Sequence, residues 1–244
     1  MTEIRAIAAQ RPVTARLLDL VFPPRCVSCD SFGAFICETC LAALATAGPP
    51  RCSVCWMPDR GHTDGPAPGR LCRRCRAVRP SFTAVRSVFV YQSAARDAVH
   101  ALKFRGLSAI APAMAALMAQ QLVEWSPPIA SIVPVPLAGS RRRQRGYNQS
   151  ELLAKELSRL TAIPLAPKAL ARSRSTSPQY RLADRDERRR NVSDAFRRGK
   201  EPPQGSVLLI DDVITTGATL DACARVLLEA GAVSVFALTF ARED

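Results

Sequence analysis

The sequence predicts an α/β fold, a parallel sheet flanked by helices, preceded by a small cysteine-rich module. Three observations carry that prediction. From residue 84 onward, short apolar runs alternate with helical patterns. One run, Val207 to Ile210, leads into two carboxylates and a Thr/Gly-rich turn before a helix, which is how a parallel strand ends at a ligand site. Ahead of residue 80, eight of the nine cysteines fall into four Cys-x2-Cys pairs.

With 244 residues and 48% hydrophobic content, the chain can hold one full-sized α/β domain and a small module. Its 34 basic residues exceed the 21 acidic ones by 13, and nearly all the basic residues are Arg. Such an excess favours phosphate-rich partners: nucleic acid, a diphosphate or an anionic membrane surface. Residues 1–22 are charged at Glu3, Arg5, Arg11 and Arg16, which argues against a signal peptide, and no later run is long enough to span a bilayer. The chain is therefore expected in the cytoplasm, without a transmembrane segment. Leu17 to Phe22 read as one face of a short helix that Pro23 and Pro24 end, so residues 1–22 form a helical arm.

The pairs Cys26/Cys29, Cys37/Cys40, Cys52/Cys55 and Cys72/Cys75 have the spacing at which one turn aims two thiolates at a single metal. A reducing compartment disfavours disulfides, so metal is preferred. Sixteen residues separate the last two pairs, within the ribbon-type range of roughly 15 to 20. Sequential pairing gives two structural four-cysteine zinc sites in a module over 23–80. Redox-active pairs, an iron–sulfur cluster and interleaved pairing are the alternatives. His62 lies in the Pro/Gly-rich stretch 56–70 and reads as a loop residue, since eight thiolates already fill two tetrahedral sites. Trp56 reads as cover for a metal site.

The α/β domain is placed at 81–244. Ala84 to Tyr91 is expected as a strand, Ala94 to Phe104 as a helix, and Leu107 to Val123 as a helix interrupted early by Pro112. Lys103 and Arg105 stand at a helix end, where the dipole favours cations, and His100 reads as structural. Ile129 to Leu137 is a strand running into prolines. Arg141, Arg142, Arg143 and Arg145 then emerge from the carboxyl edge of the sheet, towards the same rim as Asp211 and Asp212. Glu151 to Leu160 is a helix opened by Asn148 or Ser150. Residues 166–205 hold nine arginines and few apolar anchors, which suggests a long loop acting as a lid, or else a solvated arm. Val233 to Phe240 completes the sheet, and Cys223 is expected in the core.

The run Val207 to Thr219 (VLLIDDVITTGAT) is the centre of the site. Its strand is expected to stop at Asp211 and Asp212. Thr215, Thr216 and Thr219 offer hydroxyls, and Gly217 lets the backbone approach an anion, so that a side chain there would fill the phosphate space. A phosphate suits the loop, and a vicinal diol suits the two carboxylates. Helix capping alone needs one such residue, not six in this order. No GxGxxG or GxxxxGK[ST] pattern occurs, which argues against dinucleotide and P-loop nucleotide binding.

This stretch resembles the phosphoribosyl diphosphate (PRPP) signature of type I phosphoribosyltransferases. Together with the cysteine pairs after FPPRC, VPVPL with RGYNQ, and TSPQYRLADRDERRRNVSDAF, it resembles the ComF family over nearly the whole chain, with Tyr147 where the family usually has Phe. The resemblance implies a zinc ribbon fused to a type I phosphoribosyltransferase-like domain. It also implies a role in uptake of single-stranded DNA during natural transformation, with DNA-uptake machinery proteins as partners. On it, Asp211 and Asp212 hold the ribose hydroxyls, and Thr215, Thr216, Gly217, Ala218 and Thr219 the 5-phosphate. Val135, Pro136 and Leu137 take the place of the diphosphate loop with Arg145 beside them, while Gln179, Arg188 and Asn191 match the flexible segment. Magnesium would bridge the diphosphate and ribose oxygens.

Two functions follow. The first is a PRPP-dependent transferase, with Asp211, Asp212 and Arg145 as its reactive centre. The second is a module in which arginine-rich loops, with Arg141, Arg142 and Arg143 on the phosphates, and the zinc ribbons bind single-stranded DNA, the PRPP pocket being ancillary or regulatory. A PRPP-sensing regulator would need a DNA-binding helix pair that the sequence does not show.

Overall fold

The computed structural model describes residues 23–58, 70–173 and 195–244. The helical arm at 1–22, His62, and the flexible-segment residues Gln179, Arg188 and Asn191 lie outside the described residues.

A four-stranded, wholly parallel sheet runs β1–β6–β5–β2, from β1 (Ala84–Val90), β2 (Ser131–Pro134), β5 (Ser206–Ile214) and β6 (Ser234–Arg242). The β-branched and apolar residues of these runs are buried almost throughout, as strands covered on both sides require. Leu208 and Ile210 of β5 pack with α3 (Ser93–Phe104), α4 (Ala111–Trp125) and α6 (Gln149–Thr161). Val207 and Leu209 pack in a second cluster, with α7 (Ala218–Glu229) and a small antiparallel pair, β3 (Leu170–Arg172) and β4 (Phe196–Arg198). No helix among the described residues is long and apolar enough to cross a membrane.

The two cysteine sites are anchored in different cores. Val27, Phe35, Ile36 and Leu41, around the first site and its short helix α1 (Glu38–Ala42), pack on the α3–α4–α6 side. Cys52, Val54 and Cys75, with α2 (Arg73–Ala77), belong to the same cluster as Val85, Leu209 and Leu227. Between them, residues 45–47 run along the outer edge of β1, where the Ala47 N–H donates to the Val88 carbonyl and the Val90 N–H to that of Ala45, both at 2.9 Å.

Three expectations are corrected here. The β5 strand does not stop at the carboxylates. Its pairing with β6 continues through Asp211 opposite Thr239 to Ile214, and the strand that stops is its other neighbour, β2, at Pro134 opposite Ile210. The arginine run after β2 is not a loop but a short helix, α5 (Gly139–Arg145), closed by Gly146 at φ 81°. Arg is a good helix former, and glycine in the left-handed region is a usual stop. Pro112 does not interrupt a helix. It lies in the first turn of α4, where its missing N–H costs nothing, after a 3-10 turn at Ser108–Ile110. Within the stretch 166–205, β3 and β4 pair with each other near its two ends, while residues 174–194 lie outside the described residues.

Candidate sugar-phosphate site and cysteine metal centres

The eight thiols form two groups in sequential order, Cys26/Cys29/Cys37/Cys40 and Cys52/Cys55/Cys72/Cys75, with the four sulfurs of each within 4.8 Å of one another. Sulfurs around one tetrahedral zinc at about 2.3 Å stand about 3.8 Å apart. Cys29 and Cys37 bring theirs to 3.5 Å, and Cys55 and Cys72 to 3.6 Å. The backbone N–H groups of Cys37 and Cys72 point at the sulfurs of Cys26 and Cys52, at 3.5 and 3.3 Å, which favours thiolates there. All-sulfur donor sets of this size fit two structural zinc ions. The ninth cysteine, Cys223, is fully buried on the core-facing side of α7.

Because β2 ends first, the carboxylates of β5 face a gap filled by side chains from neighbouring helices. Asp212 is 5% exposed, and one of its oxygens lies 2.8 Å from the ammonium of Lys103, near the end of α3. Asp211 accepts a 2.8 Å hydrogen bond from the Ser150 hydroxyl in the first turn of α6. Burial, and then the neighbouring Asp212 carboxylate, push Asp211 up to about 7, against the lowering effect of Ser150. The chain after β2 is held by Asn148, whose side-chain N–H donates to the Val135 carbonyl at 3.0 Å while its oxygen caps α6 through the Ser150 N–H. Val135 is buried, whereas Pro136 and Leu137 are half-exposed.

The half expected to receive a phosphate is the turn from β5 into α7. Thr215 and Thr216 are exposed, Gly217 is the N-cap at φ 79°, and Ala218 and Thr219 open the helix, so hydroxyls and helix-start amides share one turn. A Cβ on Gly217 would lie 3.4 Å from Ile214 and 3.9 Å from Phe82. These are ordinary contact distances, so it is the left-handed backbone, and not a lack of space, that favours glycine here. The second cysteine site braces this turn. Arg74 of α2 donates to the Thr216 carbonyl at 2.7 Å, and the Ser81 N–H donates to Asp221 of α7 at 2.6 Å.

Arg145 is half-buried at the end of α5, donates to Gln149 at 3.0 Å and holds its guanidinium 4.9 Å from the Phe104 ring centroid. Burial draws its pKa down and the Asp212 charge works against that, so Arg145 and the carboxylates belong to one electrostatic neighbourhood. Arg141, Arg142 and Arg143 are exposed on α5. His100 is exposed among Tyr91 and Phe104. Trp56 donates to the Ala47 carbonyl and lies under Arg86, at 3.9 Å.

The structure thus links the carboxylates to Arg145 through adjacent residues of α3, with Lys103 on Asp212 and Phe104 beside Arg145. Sequence reasoning missed Lys103, Ser150 and Phe104 as their neighbours. The available signal for Lys103 was a cation near a helix end, which the dipole explains equally well.

A double zinc ribbon domain matches residues 17–76 and a phosphoribosyl transferase domain residues 113–243. The DNA utilization protein YhgH of Salmonella typhi is 35% identical over 206 residues, covering 82% of this chain and 87% of that protein. The competence protein ComFC of Bacillus subtilis is 29% identical over 215 residues, covering 85% and 84%. Among solved structures, glutamine PRPP amidotransferase from B. subtilis, complexed with ADP and GMP, aligns at a TM-score of 0.38 and 20% identity, over 54% of this chain and 26% of that one. The order of the two domains and the extent of these matches agree with the site geometry, and the chain belongs to the ComF family of phosphoribosyltransferase-like proteins.

Proposed function

We propose that this chain binds PRPP with magnesium and acts in the cytoplasm as a phosphoribosyltransferase linked to the handling of single-stranded DNA. The observation that carries the reading is the pairing of two adjacent carboxylates, Asp211 and Asp212, with a Thr/Gly turn at a helix start on the same strand. Carboxylates accept from a diol, and the turn donates to a phosphate. A ring nitrogen of the acceptor would form a bond to the anomeric carbon as the bond to diphosphate breaks, with diphosphate taking the electron pair and the acceptor losing its proton. Arg145 is placed to offset the departing charge, and magnesium would neutralise diphosphate oxygens.

The names of the relatives, competence and DNA utilization, support the DNA link. A second reading keeps the PRPP pocket as a regulatory element of a single-stranded DNA-binding module, with proteins of a DNA-uptake machinery as partners. It is favoured by the three exposed arginines of α5. Calorimetry with PRPP, ribose 5-phosphate and inorganic phosphate, with magnesium present, tests the first. Above pH 7, where Asp211 is ionised, changing Asp211 or Asp212 to Ala should weaken PRPP by about tenfold to a hundredfold while keeping phosphate binding, since each loses a charge-assisted hydrogen bond. Wild-type protein that binds none of the three at millimolar concentration would overturn the reading.

A further inference from the structure

Phe104 is the last residue of α3, and it is 67% exposed. Exposed phenylalanine is commonly accidental when it stands on a mobile segment, but this one is fixed. The Arg105 N–H closes the helix on the Ala101 carbonyl, and the chain turns away through Gly106 at φ 67°. The imidazole of His100 meets the ring edge-on, at 5.4 Å and 76°. Arg145 holds its guanidinium 4.9 Å from the centroid.

The place of the ring matters as much as its exposure. Lys103, the preceding residue, reaches Asp212 at 2.8 Å, so the ring and the diol-binding carboxylates share one rim of the sheet. Charged and polar residues flank it: Arg145 and His100 against the ring, and Lys103 and Arg105 on either side of it in the chain. A protein partner would ask for a contiguous apolar patch, and that surround does not provide one. A flat, polar-edged ring that stacks on one aromatic and tolerates a neighbouring guanidinium does suit it.

The geometry points to Phe104 as the stacking face for a nucleobase whose sugar and phosphate occupy the Asp211–Asp212 and Thr215–Thr219 halves of the site. The inference rests on the sugar-phosphate reading and adds to it the chemical class of the group next to the anomeric carbon: a planar heteroaromatic ring. That ring can belong to a free nucleotide or to one residue of a single strand.

Four probes separate these cases: AMP, ribose 5-phosphate, a twelve-residue oligothymidylate, and an abasic strand with the same number of phosphates. Binding is measured on wild-type protein and on Phe104→Leu, Phe104→Ala and Phe104→Trp. One stacked base should make AMP bind roughly fivefold to a hundredfold tighter than ribose 5-phosphate. Phe104→Leu and Phe104→Ala should erase that gain without changing the affinity for ribose 5-phosphate, and Phe104→Trp should keep it. A gain of oligothymidylate over the abasic strand with the same dependence on Phe104 assigns the base to a strand; its absence, with the AMP gain present, assigns it to a free nucleotide. If ribose 5-phosphate does not bind at all, the sugar-phosphate reading fails, and the oligothymidylate and abasic pair still decides about Phe104. A base-dependent gain that survives in Phe104→Leu, or no gain with either base-bearing probe, overturns the inference.

Discussion

The ammonium of Lys103 and the carboxylate of Asp212 form a 2.8 Å ion pair in which the acid is almost wholly shielded from water and the base is about four-fifths shielded. A ribose hydroxyl approaching Asp212 therefore meets a carboxylate that is already matched. Removing one member of such a pair leaves the other buried without a counter-charge. We expect Lys103→Met to lower the unfolding free energy by about 3 kcal/mol, near the lower end for a broken buried pair, and Lys103→Met with Asp212→Asn to regain most of it. Denaturant melts of the two variants make the comparison. Wild-type stability in Lys103→Met would show that the pair forms no part of the folded balance.

Asp211 keeps its proton up to about pH 7 because burial and Asp212 oppose its charge. A diol donates to the ionised acid, so the affinity for ribose 5-phosphate should rise with pH through about 7, beyond the rise due to the phosphate itself. For stability the sign is the opposite: the folded chain retains a proton that an unfolded Asp releases near 3.9, so this contribution falls as pH climbs from about 4 to about 7. Asp211→Asn should flatten both dependences, and superimposable profiles for the two proteins would remove Asp211 from either role.

Purified protein should carry about two zinc ions and no visible absorbance. The two sites should respond differently to mutation, because the second site shares its cluster with Leu209, Val85 and Leu227, while the first is joined to the opposite core chiefly through half-buried neighbours. Cys26→Ser and Cys72→Ser should each lose about one zinc, with the larger drop in melting temperature for Cys72→Ser. Metal analysis and thermal melts check both. An equal or larger drop for Cys26→Ser would contradict the packing argument.

Neutralising Arg141, Arg142 and Arg143 together should lower the slope of log affinity for single-stranded DNA against log salt by about two units, at about 0.7 per phosphate contact. All three are exposed on α5, so the fold should tolerate the change. A slope that stays the same would place the strand elsewhere on the molecule.

Much of this was legible in the sequence, and what was missed has physical reasons. The β5 run, the cysteine pairs and the Asn148 cap announce themselves by local chemistry: β-branched residues, paired thiolates, and an amide oxygen before a helix. The end of β5 was misread because strand length is set by the neighbour. Asp211 and Asp212 remain in the strand through pairing with β6, which no property of the two residues reveals. The α5 helix was missed because a proline-rich lead-in and consecutive arginines suggest a loop, although Gly146 is a legitimate stop signal. Lys103 with Asp212, and Phe104 with Arg145, are contacts across long sequence separations, which only the folded chain brings together.

The strap at residues 45–47 has a consequence for solubility. An outer strand such as β1 offers a row of open backbone groups, and another chain can add to it as a further strand. Here the strap occupies that edge through its two 2.9 Å bonds, and a cysteine site tethers it at each end. Metals held in these two sites would thus guard a sticky edge as well as organise the loops around them. Chelation should release the strap and let copies join edge to edge, so light scattering should rise before the helical circular dichroism signal fades. Scattering that stays flat until the helices melt would show that the edge remains covered without metal.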